Sequence, residues 1–174
     1  MVPTSAPLLV ACLLLALAGA PKIARPGYAV GALRSVRVRV PAAAVRALGA
    51  VETALGVVTA VTGGRALAAV VAMSYLGFAG FLVVALRTGG AVSSCGCVGR
   101  PDTPPTRTHV AVTVLLAAAA TAAAVHGAPG LTDISWSART AVTLAFAALS
   151  TWLAWLALAV LPRLSALRLT AREA

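Results

Sequence analysis

Residues 66–86 read ALAAVVAMSYLGFAGFLVVAL, without a charge between Arg65 and Arg87. At about 1.5 Å of rise per helical residue, such a run covers the ~30 Å of hydrocarbon in a bilayer. A backbone inside lipid must satisfy its own N–H and C=O groups, and a helix does so within one segment. The stretch therefore predicts a transmembrane helix. Comparable uncharged runs occupy 1–21, 110–125 and 140–161. The run at 110–125 is shorter and alanine-rich, and it needs His109, His126 or neighbouring helices to complete its crossing. A fifth run, 41–62, is interrupted by Arg46, which can snorkel from the end, and by Glu52 near the middle.

Composition agrees. Of 174 residues, 60% are hydrophobic and 10% charged, too few charges to cover a soluble core with polar surface. Three cysteines are too few for a disulfide-stapled scaffold, and the 15 glycines and 10 prolines follow no collagen period. The net charge of +10 lies between apolar runs and not in one stripe, so the partner it fits is the lipid bilayer and not nucleic acid. The expectation is one all-α integral membrane domain over 1–174, with spans at about 3–21, 42–62, 66–87, 109–126 and 139–161. A loop at 88–108 and a basic tail at 163–174 complete it.

Ala18-Gly19-Ala20 has the small-residue character of a signal-peptide cleavage site, but no cation precedes the apolar run and Pro21 follows directly. The first run therefore reads as a retained anchor with its amino end outside. The loop after it carries Lys22, Arg25, Arg34, Arg37, Arg39 and Arg46. Arg87, Arg100 and Arg107 follow the third span, and Arg163, Arg168 and Arg172 the fifth. Only Arg65 and Arg139 fall on the other side, so the positive-inside rule makes the first and third loops cytoplasmic. Residues 28–40 read either as an interfacial amphipathic piece or as a plain basic loop.

The stretch with chemistry is Ser93-Ser94-Cys95-Gly96-Cys97-Val98-Gly99-Arg100. Thiols one residue apart close a disulfide ring only if the backbone bends sharply, which Gly96 permits. A strained, accessible disulfide exchanges readily, and Arg100, Arg107 and the start of the next helix would lower thiol pKa. Cys95 and Cys97 are thus candidate redox residues. Two rival readings remain: a soft-metal site formed with His109, for Cu(I) or zinc, and incidental loop cysteines. Cys12 lies in an apolar run and reads as a small hydrophobe.

Glu52 is the second candidate. A mid-membrane carboxyl must be protonated, paired with a cation or exposed to a water-filled cavity, and each option suits proton handling. A shallower helix is the plain alternative. His109 and His126 mark the ends of the fourth span, and Trp136 suits an interfacial anchor. Trp152 and Trp155 share a helix face and either line a quinone pocket or simply pack.

With these motifs in view, the chain resembles the methylamine utilisation MauE family, similar in layout to DoxX and vitamin K epoxide reductase-like helical bundles. The resemblance runs through the fourth span. It rests on Gly19-Ala20-Pro21-Lys22 after an apolar first helix, on Glu52 in the second, and above all on Cys95 to Gly99 before a further helix. It implies a bundle of about five spans with a four-helix core in the bacterial plasma membrane. The implied role is a thiol-disulfide oxidoreductase component, with a thioredoxin-like or redoxin partner, that matures an exported disulfide-containing client, either methylamine dehydrogenase or general redox clients. The alternatives are a non-catalytic assembly factor and a soft-metal-binding membrane protein. The resemblance implies clients outside, whereas the charge count puts the cysteine loop inside. An inside loop would take electrons from a thioredoxin-like donor and relay them through the bundle; an outside loop would act on a client directly.

Overall fold

The computed structural model describes residues 5–87, 106–133, 135 and 137–159. Among these residues there are six α-helices: α1 (Ser5–Ala24), α2 (Gly27–Ser35), α3 (Ala42–Thr62), α4 (Arg65–Arg87), α5 (Arg107–His126) and α6 (Ala138–Ala159). A 3₁₀ turn, Leu131–Asp133, lies between the last two. All except the nine-residue α2 are long and apolar enough to cross a bilayer, which makes the protein an all-α, multi-pass membrane bundle.

Interior and exterior are inverted relative to a water-soluble domain. Val51, Leu115 and Val142 are 62%, 69% and 70% exposed, while Ala11, Ala68, Ala120 and Ala123 are fully buried. Lipid removes the incentive to hide large apolar side chains, so the interior is selected for small ones that let helices approach closely. α1 and α3 form the most extensive pair, α4 and α5 the next, and α1 also touches α5, α6, α4 and α2. The first pair is antiparallel and glycine-lined. A Cβ added at Gly49 would stand 2.7 Å from the Gly19 carbonyl oxygen, and one at Gly56 2.5 Å from that of Cys12.

The turn from α3 to α4 is sealed by backbone. Gly63, at φ 65°, bridges to Pro129, Gly64 N–H donates to the Ala128 carbonyl at 3.2 Å, and Thr132 Oγ1 donates to the Val61 carbonyl at 3.0 Å. The opposite end carries the amino ends of α3 and α5 and the carboxyl ends of α1 and α4.

The structure corrects the placement of Lys22. The first helix does not stop at Pro21 but continues to Ala24 with the proline inside it. Proline sacrifices a backbone hydrogen bond there. The extension makes Lys22 a buried residue of α1, 6% exposed, and not a loop cation. The basic stretch beyond forms α2 and ends where Arg37 takes φ 64°.

Candidate functional site

The polar centre of the bundle starts from the glycine contact of α1 and α3. Because Gly49 has no side chain, Lys22 can lie across it, and a Cβ at Gly49 would stand 2.8 Å from the Lys22 Cβ. One helical turn beyond Gly49 is Glu52. The Lys22 ammonium donates to Glu52 Oε2 at 2.5 Å, and the two residues are 6% and 2% exposed. Neither charge would be tolerated alone in this setting, since a desolvated ion costs several kcal/mol that only a well-formed partner offsets. Glu52 therefore takes the paired option among those its position allows.

Aromatic residues of α4 complete the cluster. Lys22 Nζ lies 4.7 Å from the centroid of the Phe78 ring, a cation–π distance. Phe78 in turn meets Tyr75 edge to face at 5.9 Å, and Tyr75 donates its hydroxyl hydrogen to the Ala11 carbonyl at 2.7 Å. That bond fixes α4 against α1 in the interior.

Lys22 and Phe78 border two cavities. One, of about 90 Å³, lies between α1, α4, α5 and α6 and is walled by Lys22, Tyr75, Phe78, His109, Thr113 and Trp155 among others. The second, of about 130 Å³, faces α2 and α3 and is almost wholly apolar, with Leu33, Val45 and Phe81 in its wall. His109 opens α5 and is 3% exposed. Thr106 caps the helix by accepting from the His109 backbone N–H at 3.4 Å, and its Oγ1 lies 2.7 Å from His109 Nδ1. The other ring nitrogen, Nε2, is buried without a hydrogen-bond partner among the described residues, as is Glu52 Oε1.

Of the three residues expected at the site, Glu52 is thus buried and paired. Cys95 and Cys97 lie outside the described residues, in a segment that leaves α4 after Arg87 and reaches α5 at Thr106. α4 and α5 pack against each other, so both attachment points are at the end of the bundle that holds Lys22 and His109. Cys12 is fully buried in the core of α1, as a small hydrophobe would be. Trp152 and Trp155 stack at 5.5 Å, with Trp155 also in the wall of the smaller cavity. No group of three metal-ligating side chains occurs among the described residues; two members of the Cys95, Cys97 and His109 set lie outside them.

Sequence reasoning misses the burial of Lys22, which reads as a loop charge although the Glu52 carboxyl calls for a buried cation. His109, a helix end and a candidate ligand beside the loop cysteines in the sequence, is also buried in the bundle.

No curated protein and no solved structure matches the chain. The family model described as methylamine utilisation protein MauE matches residues 1–126, from before α1 to the last residue of α5, and so includes Lys22, Glu52, both loop cysteines and His109. A match over that much of the sequence makes the protein a member of the MauE family.

Proposed function

We propose that this protein works in the bacterial plasma membrane as a thiol-disulfide electron-transfer component, with Cys95 and Cys97 as its redox pair, in the maturation of an exported, disulfide-containing enzyme of the methylamine dehydrogenase type. The observation that carries the reading is the position of the Cys-Gly-Cys stretch within the MauE match. It joins two packed helices at the end where the bundle keeps its buried charges. In the oxidising direction, a client thiolate attacks one sulfur of the Cys95–Cys97 disulfide to form a mixed disulfide, and a second client thiolate displaces that sulfur. The client gains a disulfide, and the pair takes up two electrons and two protons as a dithiol. A thioredoxin-like partner exchanges with the pair by the same chemistry. Glu52 acts as a positioning residue: it holds Lys22 in the interior and so fixes α1 against α3.

The test is replacement of either cysteine by serine. Cys95→Ser and Cys97→Ser each abolish disulfide formation in the client, read by thiol trapping, while leaving the protein's abundance in the membrane unchanged. If the double serine variant still supports maturation and co-purifies with the client, the protein is an assembly factor and the redox reading fails.

A further inference from the structure

The larger cavity, of about 130 Å³, lies between α3 and α4 under α2. α3 packs extensively on α1, and α4 on α5, but beyond the tight turn at Gly63 and Gly64 α3 and α4 pack only lightly on each other. At the opposite end α2 covers the space between them without filling it. Among the described residues α2 approaches α1 and α3 but makes no close backbone approach to α4. Its cavity face is Ala29, Ala32 and Leu33, and two alanines where larger side chains would close the gap leave it open against Phe78 and Phe81. An empty apolar space forfeits packing contacts that an alkyl chain restores. Leu48 lines the cavity and is 47% exposed, which puts a mouth on the lipid-facing flank of α3.

The same end of the bundle carries cations without carboxylates. Arg25, Arg34, Arg37, Arg39 and Arg46 lie on or beside α2 and in the first turns of α3, and all are exposed. The carboxylates among the described residues are Glu52, taken by Lys22, and Asp133, which accepts from the Gly130 N–H at 3.2 Å near the sealed end. No salt bridge among the described residues reaches these arginines. α2 ends in a cap in which the Arg37 N–H donates to the Arg34 carbonyl at 3.0 Å and the Val38 N–H to the Leu33 carbonyl at 2.9 Å. Arg37 takes φ 64° there, at a position where glycine is usual. The cap keeps the Arg34 and Arg37 backbones in contact, next to Leu33 of the cavity wall. Val45 and Leu48 fall within the first two turns of α3, so the cavity begins just below the end that carries the arginines.

We propose that this end binds one anionic phospholipid, with part of an acyl chain in the cavity under α2 and the phosphate held by Arg34 and Arg37. A phospholipid joins chain to phosphate in the order in which cavity and arginines follow from the interior outward. Arginine suits the phosphodiester because its planar fork donates two parallel N–H bonds to the oxygens. The 130 Å³ takes only a few carbons of the chain, and the rest stays in the bilayer beyond the mouth at Leu48.

Native mass spectrometry of the full-length protein in detergent, titrated with dioleoyl phosphatidylglycerol, tests this. One lipid should bind saturably and ahead of dioleoyl phosphatidylcholine, and glycerophosphoglycerol, the same headgroup without chains, should not displace it. Arg34→Gln/Arg37→Gln should weaken binding roughly thirtyfold. Ala29→Leu fills the cavity, leaves every charge in place and should abolish the saturable phase. Arg65→Gln/Arg139→Gln removes as much charge from the other end and should bind as the parent does. Circular dichroism in the same detergent confirms that each variant is folded. The Cys95→Ser/Cys97→Ser protein should also bind like the parent, so failure of the redox reading leaves this result standing. Phosphatidylcholine bound as tightly, displacement by glycerophosphoglycerol, equal weakening by both arginine pairs, or parent-like binding in Arg34→Gln/Arg37→Gln or Ala29→Leu overturns the proposal.

Discussion

At the end where α3 turns into α4, backbone groups close the bundle. Gly63 bridges to Pro129, Gly64 and Thr132 add hydrogen bonds, and a cavity beside Ser5, Thr59 and Leu131 holds about 20 Å³. At the other end side chains do that work: a buried Lys22–Glu52 pair, an enclosed His109 and two cavities of about 90 and 130 Å³. Backbone closure is cheap in lipid, because it satisfies groups that need satisfying anyway. Buried charges and empty volume are expensive, and a fold that keeps both at one end has concentrated its costs there. Such an end is where function is expected.

The largest effect should come from breaking the charge pair. Glu52→Leu leaves the Lys22 ammonium buried without its carboxylate and should destabilise the protein by about 3–5 kcal/mol in reversible unfolding from mixed micelles. The Lys22→Met/Glu52→Leu double variant, with neither charge, should recover most of that loss. Equal losses in the single and double variants would show that the pair is not the unit of stability at this end. A smaller effect is expected at the sealed end. Gly63 has φ 65°, and a Cβ there would stand 2.5 Å from the Ala128 carbonyl oxygen. Gly63→Ala should therefore cost about 1–3 kcal/mol in the same assay. A loss as large as that of Glu52→Leu would mean that the two ends do not differ in this way.

The helices were legible because uncharged runs of about 20 residues have few other physical meanings, and the five long helices are the consequence. Residues 28–40 were ambiguous, because nine helical residues carry too little periodicity to distinguish α2 from a basic loop. Glu52 was legible as an anomaly, since its cost in lipid demands compensation. Its partner was not, for two reasons. Proline is normally read as a helix stop, yet α1 passes through Pro21; and Lys22 meets Glu52 across 30 residues of sequence, a pairing that only the packing of Gly19 on Gly49 creates. His109 has the spacing of a helix start, and nothing local reveals that it is buried. The cysteines were legible from their chemistry alone, as two thiols separated by a glycine. Moving Lys22 into α1 takes one cation out of the first loop.

The central claim is that Cys95 and Cys97 cycle between dithiol and disulfide, and it can be read directly. Cells producing the Cys12→Ser protein are acid-quenched, and free thiols are alkylated with a polyethylene-glycol maleimide with and without prior reduction. The account predicts a fraction in which both loop cysteines gain mass only after reduction, and a change in that fraction when the client is withheld. Complete alkylation of both cysteines without reduction, with and without the client, would contradict it.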